Sequence, residues 1–205
     1  MSYYHQYSEA FSPKYLSELQ GQILASPYFT VNNLNRDFVG TKGFSLAFQR
    51  SHLSNVIQRF PYFKLYLNRA IQEECNAFYL NPLLLEQGSR VDPHIDRSLR
   101  SYCDKILPPL VVSVLYIQVP LNLEGGELIL RSKKRQLGQI SPQVNTLLFF
   151  QGDLIHSVNP VKTPGIRLSL VCEQYNLDES QLREIPEIKL ESRAVKQKQK
   201  VKSKK

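Results

Sequence analysis

Apolar positions along this chain follow two rhythms. In the first 75 residues they recur at helical spacing, whereas between residues 76 and 176 short apolar runs alternate with turn-forming residues, as in β-strands. Ser12-Pro13 supplies an N-cap followed by proline at the first helical position, which predicts a helix over residues 15–24. A second helix is expected over residues 51–60. A third, starting at Tyr62, places Phe63, Tyr66, Leu67, Ala70 and Ile71 on one face, a stripe that should pack on the outside of the strands. Residues 40–48 read as a strand with its own turn glycines, and no internal repeat is visible.

Within the strand-rich part, residues 111–119 and 127–130 flank Gly125-Gly126, which reads as a tight hairpin connection requiring positive φ. Gly152-Asp153 breaks the apolar run 145–156 and reads as the turn that delivers His156. Neither turn is a phosphate loop, because no Lys-Ser/Thr follows. The predicted class is mostly β with N-terminal helices (α+β). The chain divides into a helical support region (1–75), a β core (76–176) and a charged, disordered tail (177–205).

Length and composition fit one compact domain: 205 residues, 42% hydrophobic, can bury a sizeable core. No run of 18 apolar residues exists and the N-terminus has no signal-peptide pattern, so no membrane association is expected. Cys75, Cys103 and Cys172 are odd in number and lack a C-x-x-C pair, which favours reduced thiols and a cytoplasmic location.

The net charge of +8 suggests a nucleic-acid binder until it is located. Residues 193–205 hold one arginine, six lysines and no acid, which leaves only +1 for residues 1–192. Such a tail cannot bury enough apolar surface to fold alone; it is either simply solvated or a weak, salt-sensitive polyanion contact.

The candidate chemistry lies in the β core. Residues i and i+2 of a strand face the same side, so His94 and Asp96 project together while Ile95 faces away. His156, at the end of a later strand, adds a second imidazole. Two histidines and a carboxylate hold Fe(II) by one face and leave positions open, and no cysteine nearby shifts the choice toward zinc. His5 and His52, the other two histidines, have no matching acid. Arg167, eleven residues beyond His156, is permanently charged and suited to clamp a carboxylate bidentately.

Around these residues the sequence resembles the prolyl 4-hydroxylase-like branch of the 2-oxoglutarate/Fe(II) dioxygenases. The matching stretches are Gly88-Ser-Arg-Val-Asp-Pro-His94-Ile-Asp96, Val112-Ser-Val-Leu-Tyr116-Ile, Glu124-Gly-Gly-Glu-Leu128, residues 147–161 around His156, and Gly165-Ile-Arg167-Leu-Ser169-Leu. The resemblance implies a double-stranded β-helix (jelly-roll) barrel with helices packed on its outer face and iron at one mouth. It implies Fe(II) and 2-oxoglutarate, with L-ascorbate as reductant, and hydroxylation of an unactivated C–H coupled to decarboxylation to succinate and CO2. It also implies that Arg167 pairs with the distal carboxylate of 2-oxoglutarate, with Tyr116 donating to the same carboxylate and Ser169 on the same strand face. Many relatives carry a tyrosine nine or ten residues before the first iron histidine; this chain has Leu84 and Leu85 there, and Tyr79 lies further upstream.

Substrate choice is expected in the segment after Asp96, where Arg97, Arg100, Tyr102 and Lys105 precede Pro108-Pro109. Such a loop either receives an acidic group or is merely solvated. The substrate is a protein side chain, prolyl if the resemblance holds, or a small metabolite. Nucleic-acid demethylation is disfavoured by the near-neutral core, and the competing class is a catalytically silent binding barrel that acts as an adaptor through its basic tail.

Overall fold

The computed structural model describes residues 2–32, 34 and 36–194. Helix α1 (Pro13–Leu24) starts where the cap signal places it. Ser12 Oγ accepts from the Tyr15 N–H at 3.3 Å and Pro13 occupies the first helical position, a cap worth about 1 kcal/mol. The helix buries Tyr15, Leu16, Leu19 and Ile23. Helices α2 (Leu53–Arg59) and α3 (Lys64–Ala70) follow, and α3 turns Tyr66, Leu67 and Ala70 inward.

The first 75 residues are less purely helical than their spacing suggested. Strands β1 (Tyr4–Tyr7), β2 (Thr30–Val31), β3 (Phe38–Val39), β4 (Lys42–Gly43) and β5 (Ser45–Gln49) all join the sheets. Most are too short for alternation to show, and only the 40–48 strand was legible. The β core comprises β6 (Ala77–Leu85), β7 (Arg90–His94), β8 (Val111–Gln118), β9 (Leu128–Ser132), β10 (Arg135–Ile140), β11 (Leu147–Gln151), β12 (Ile155–Val158) and β13 (Arg167–Tyr175).

The expected tail also begins later than residue 177. Asp178 caps helix α4 (Glu179–Glu184) through a capping box with Gln181, and β14 (Ile188–Glu191) pairs with β5. The charges around Ile188 and Leu190 conceal an alternation that packs both side chains against the helical core. Residues 195–205, which hold all six lysines of the basic tail, lie outside the described residues.

All strand pairs are antiparallel. The larger sheet runs β1-β11-β8-β13-β6-β4-β2, with β5 pairing β6 and β14 pairing β5; the smaller runs β10-β9-β12-β7-β3. The two make an open jelly-roll sandwich and not a closed barrel. Gly125-Gly126 do adopt positive φ (74° and 71°), but the connection is no hairpin: it carries the chain from β8 in the larger sheet to β9 in the smaller. A Cβ on Gly125 would sit 2.0 Å from the Pro160 carbonyl oxygen, so the two crossing loops are packed backbone to backbone. The turn at Gly152 likewise takes the chain from β11 to β12 across the sandwich.

This topology gives the central strands two buried faces. Leu80, Leu84, Leu115, Ile117, Phe149, Leu168 and Leu170 pack toward the helices; their neighbours in sequence, Leu83, Leu85, Val114, Tyr116, Leu148 and Phe150, pack toward the smaller sheet. A third cluster, Leu99, Cys103 and Ile106 against Ala77, Tyr175, Leu177 and Ile185, pins the segment that follows Asp96. Among the described residues, no helix is long and apolar enough to cross a membrane.

Candidate active site

Strands β7 and β12 pair so that His156 lies directly opposite His94, with ring centroids 4.4 Å apart. His94 Nδ1 is 2.8 Å from the Asp92 carbonyl oxygen and His156 Nδ1 is 3.1 Å from that of Leu154. A carbonyl only accepts, so each Nδ1 donates and each Nε2 is turned toward the shared centre. Asp96 stands two residues beyond the end of β7. Its Oδ1 is 3.2 Å from His94 Nε2 and its Oδ2 is 3.3 Å from His156 Nε2. One ligand atom from each of the three residues falls within a 4.8 Å cluster.

The electrostatics match a cation-binding centre. Burial disfavours the charged form of His94, yet Asp96 and the Asp92 carbonyl outweigh it and raise the imidazole pKa. Burial likewise disfavours the Asp96 anion, but His156 and His94 beside it hold the carboxyl well below the usual carboxylate range. Beyond that contact with His156, Asp96 Oδ2 has no hydrogen-bond partner among the described residues. Two imidazole nitrogens, each oriented by a backbone carbonyl, and a hard carboxylate oxygen fit Fe(II).

The same cavity continues to Arg167 at the start of β13. This side chain is 2% exposed, makes no ion pair among the described residues, and its Nε has no partner. Its guanidinium lies 5.1 Å from the centre of the Tyr116 ring, whose hydroxyl also lacks a partner. Burial pulls the arginine pKa down and pushes the tyrosine pKa up, each partly offset by the other. A buried donor left unsatisfied costs about 1–3 kcal/mol, more when charged, so both donors fit an anionic ligand that supplies acceptors. Ser169 lies opposite Tyr116 on the neighbouring strand, lines the same cavity as Arg167, and donates weakly to the Leu83 carbonyl at 3.4 Å.

Other expected residues are placed differently. Leu84 faces the helices, while Leu85 faces the smaller sheet. Tyr79 does line the cavity, but its hydroxyl donates to Glu191 on β14 at 2.9 Å. None of Arg97, Arg100 or Tyr102 lines the cavity. Arg97 and Arg100 are exposed, with Arg100 Nε donating to the Asp104 carbonyl, and Tyr102 donates to Glu191. The segment after Asp96 is thus a pinned turn, because its apolar residues Leu99, Cys103 and Ile106 are drawn into the third core cluster.

Two cavity residues had no motif to announce them. Asn81 on β6 and Glu173 on β13 are both 4% exposed and line the cavity. Burial, together with the negative charge of Asp96, pushes the Glu173 carboxyl up to about 8, although it accepts hydrogen bonds from Ser98 and Tyr175. The available signal was parity: residues 167, 169, 171 and 173 share one strand face, so Glu173 shares the face of Arg167 and Ser169.

Comparisons with known proteins bear on this site. Residues 78–172 match the family model of the 2OG-Fe(II) oxygenase superfamily. No curated protein matches the chain. Among solved structures, it is similar to a Pseudomonas putida prolyl-4-hydroxylase (16% identity, 86% of this chain and 94% of that one, TM-score 0.57). A Trichoplax adhaerens prolyl hydroxylase, solved with a peptide from the oxygen degradation domain of hypoxia inducible factor, is similar at 16% identity, 88% and 86% coverage and TM-score 0.57. HygX from Streptomyces hygroscopicus, solved with nickel, 2-oxoglutarate and hygromycin B, is similar at 12% identity, 83% and 82% coverage and TM-score 0.53. At these identities the structural likeness carries the fold, while the sequence likeness to the superfamily is confined to residues 78–172. The segment that matches the 2OG-Fe(II) oxygenase superfamily, residues 78–172, is the part of the chain that holds His94, Asp96, His156 and Arg167.

Proposed function

We propose that this protein hydroxylates an unactivated C–H of a protein side chain, prolyl in type, or of a small metabolite, using Fe(II), 2-oxoglutarate and O2. In this reading His94, Asp96 and His156 hold the iron, and Arg167, Tyr116 and Ser169 hold 2-oxoglutarate. When bound, iron and cosubstrate supply the oxidising power: one oxygen atom of O2 enters the product hydroxyl, the other enters succinate, and CO2 leaves. The chain's own residues supply position and dryness. Arg167 fixes the far carboxylate of the keto acid so that its other end reaches the metal, and Tyr116 adds a neutral donor beside it. Val112, Val114, Phe150 and Val158 line the cavity and exclude water from the reacting centre.

The observation that carries this reading is the pairing, in one cavity, of a His-Asp-His cluster with two buried donors that lack acceptors. The similar solved structures hold different ligands: one was solved with a peptide, another with hygromycin B. Both substrate classes therefore stay within the proposal. The three free, buried cysteines fit a reducing, cytoplasmic setting.

The test is anaerobic addition of Fe(II) and then 2-oxoglutarate, followed by air and a succinate assay with ascorbate present. A visible charge-transfer band and succinate in the wild type, both missing in His156→Ala, are expected. No band at saturating iron would sink the proposal. Deleting residues 193–205 tests the tail separately: an attachment role predicts lost RNA co-sedimentation at low salt with turnover intact.

A further inference from the structure

The cavity is polarised along β13. At one end Arg167 and Tyr116 present donors without acceptors; six residues further, about 20 Å along an extended strand, the wall presents acceptors. Asn81 pairs with Val171 and Tyr79 with Glu173 in the β6–β13 register, which makes Asn81 and Glu173 diagonal neighbours, about 7–8 Å apart at the backbone. The Asn81 amide nitrogen donates to the Phe44 carbonyl at 2.8 Å and to Ser45 Oγ at 2.9 Å. A carbonyl accepts only, so this fixes the amide orientation and leaves Oδ1 buried with no partner.

Glu173 accepts from the Ser98 N–H at 3.0 Å, from the Ser98 hydroxyl and from the Tyr175 hydroxyl. A carboxylate offers about four acceptor sites, so one stays open. Among the described residues no lysine, arginine or histidine pairs with it. As a mere brace for the Ser98 turn, a neutral glutamine would serve without placing a second acid near Asp96. A buried, unpaired acid beside an orphaned amide oxygen is what a cationic ligand group would satisfy.

On this basis, and resting on the oxygenase reading above, we infer that Glu173 and Asn81 form the substrate subsite and that it takes an ammonium or guanidinium group. Ser98 follows Asp96 by two residues, so the turn that carries the third metal ligand also holds Glu173, tying the cation's position to the metal's. Leu83 and Val171 line the wall between the two ends, suited to an alkyl chain whose C–H bonds lie toward the metal. The substrate is then an aliphatic amine or guanidine, either free or as a lysine or arginine side chain of a protein, which takes the place of the prolyl side chain within the protein-substrate class. This reverses the acidic-substrate expectation from Arg97 and Arg100, which stay outside the cavity.

The test is calorimetric titration of the protein, with and without Fe(II) and 2-oxoglutarate under anaerobic conditions. Probes are free L-lysine and L-arginine, and short peptides containing one or the other. Matched neutral probes are L-norleucine, L-citrulline and an acetyl-lysine peptide; proline-rich and acidic peptides complete the set. The cationic member of each pair is expected to bind at least about 30-fold more tightly, a preference that Glu173→Gln abolishes and Asn81→Ser weakens about fivefold. Free amino acids and peptides separate the two sources. Equal binding of neutral and cationic probes, tighter binding of prolyl or acidic peptides, or a preference untouched by Glu173→Gln would overturn the inference. If Glu173→Gln does not fold, the wild-type probe series and Asn81→Ser decide. Cation preference without a charge-transfer band would leave this subsite standing and remove the oxygenase reading; a band without cation preference would do the reverse.

Discussion

The two faces of the larger sheet are equally buried but treat polar groups differently. On the face toward the helices, Ser113 and Gln174 are fully engaged. Ser113 Oγ pairs with the Tyr66 hydroxyl at 2.9 Å, while Gln174 donates to the Ala70 carbonyl at 2.9 Å and accepts from the Gln72 N–H at 2.7 Å. On the face toward the smaller sheet, Asn81 Oδ1, Tyr116 Oη and Arg167 Nε have no hydrogen-bond partners among the described residues. Of the five described buried polar atoms without partners, four belong to cavity-lining residues, Asp96 being the fourth; Asn32 is the exception. Satisfied polar groups specify the fold, and unsatisfied ones mark where a ligand completes it.

Substitutions three positions apart on β13, on its opposite faces, should therefore have opposite signatures. Arg167→Leu removes the buried cation from the cosubstrate end and should weaken 2-oxoglutarate binding by about 2–5 kcal/mol, roughly 30- to 5,000-fold by calorimetry. Its ligand-free melting temperature should hold or rise, because an unpaired buried charge has gone. Leu170→Ala, on the helical face, should destabilise the fold by about 2–5 kcal/mol in urea melts. The folded fraction should bind 2-oxoglutarate within about twofold of wild type. Similar behaviour of the two variants would break the division between the faces.

The division also explains what the sequence could disclose. His94, Asp96, His156 and Arg167 were legible because their spacing and strand parity are local, and β7 and β12 need only pair for the histidines to meet. Helix α1 was legible through its Ser12-Pro13 cap. The crossing at Gly125-Gly126 was not: positive φ is written in the glycines, but whether the next strand stays in the sheet depends on packing elsewhere in the sandwich. The β14 pairing with β5 was hidden for the same reason, since register between strands more than 130 residues apart is a tertiary choice. Asn81 and Glu173 belong to no local motif, and only the fold brings them into one cavity with Asp96.

Glu173 sharpens the comparison through pH. Its carboxyl is raised from 4.5 to about 8 in the folded protein, so the fold binds this proton more tightly than the unfolded chain does. The resulting stabilisation is complete below about 4.5 and is lost as pH rises through about 8. Glu173→Gln cannot ionise. The metal-free variant should therefore gain melting temperature relative to wild type between pH 5 and 8.5, by a few degrees on the order expected for about 1 kcal/mol. A difference that stays flat with pH would mean that Glu173 is already charge-compensated.

Tyr116→Phe should give the smallest effect and the cleanest sign. The hydroxyl is buried and unpartnered, so deleting it removes a desolvated donor and should stabilise the ligand-free protein by about 1 kcal/mol. With 2-oxoglutarate present the same deletion removes a neutral hydrogen bond and should weaken binding about fivefold, again near 1 kcal/mol. Ser169→Ala serves as the comparison, because its hydroxyl already contacts the Leu83 carbonyl and has less to give a ligand. Calorimetry and thermal melts on both variants, with and without 2-oxoglutarate, should show a sign reversal for Tyr116→Phe alone. Loss of stability in ligand-free Tyr116→Phe would mean that the phenol packs as part of the core, and the cosubstrate contact would then rest on Arg167 by itself.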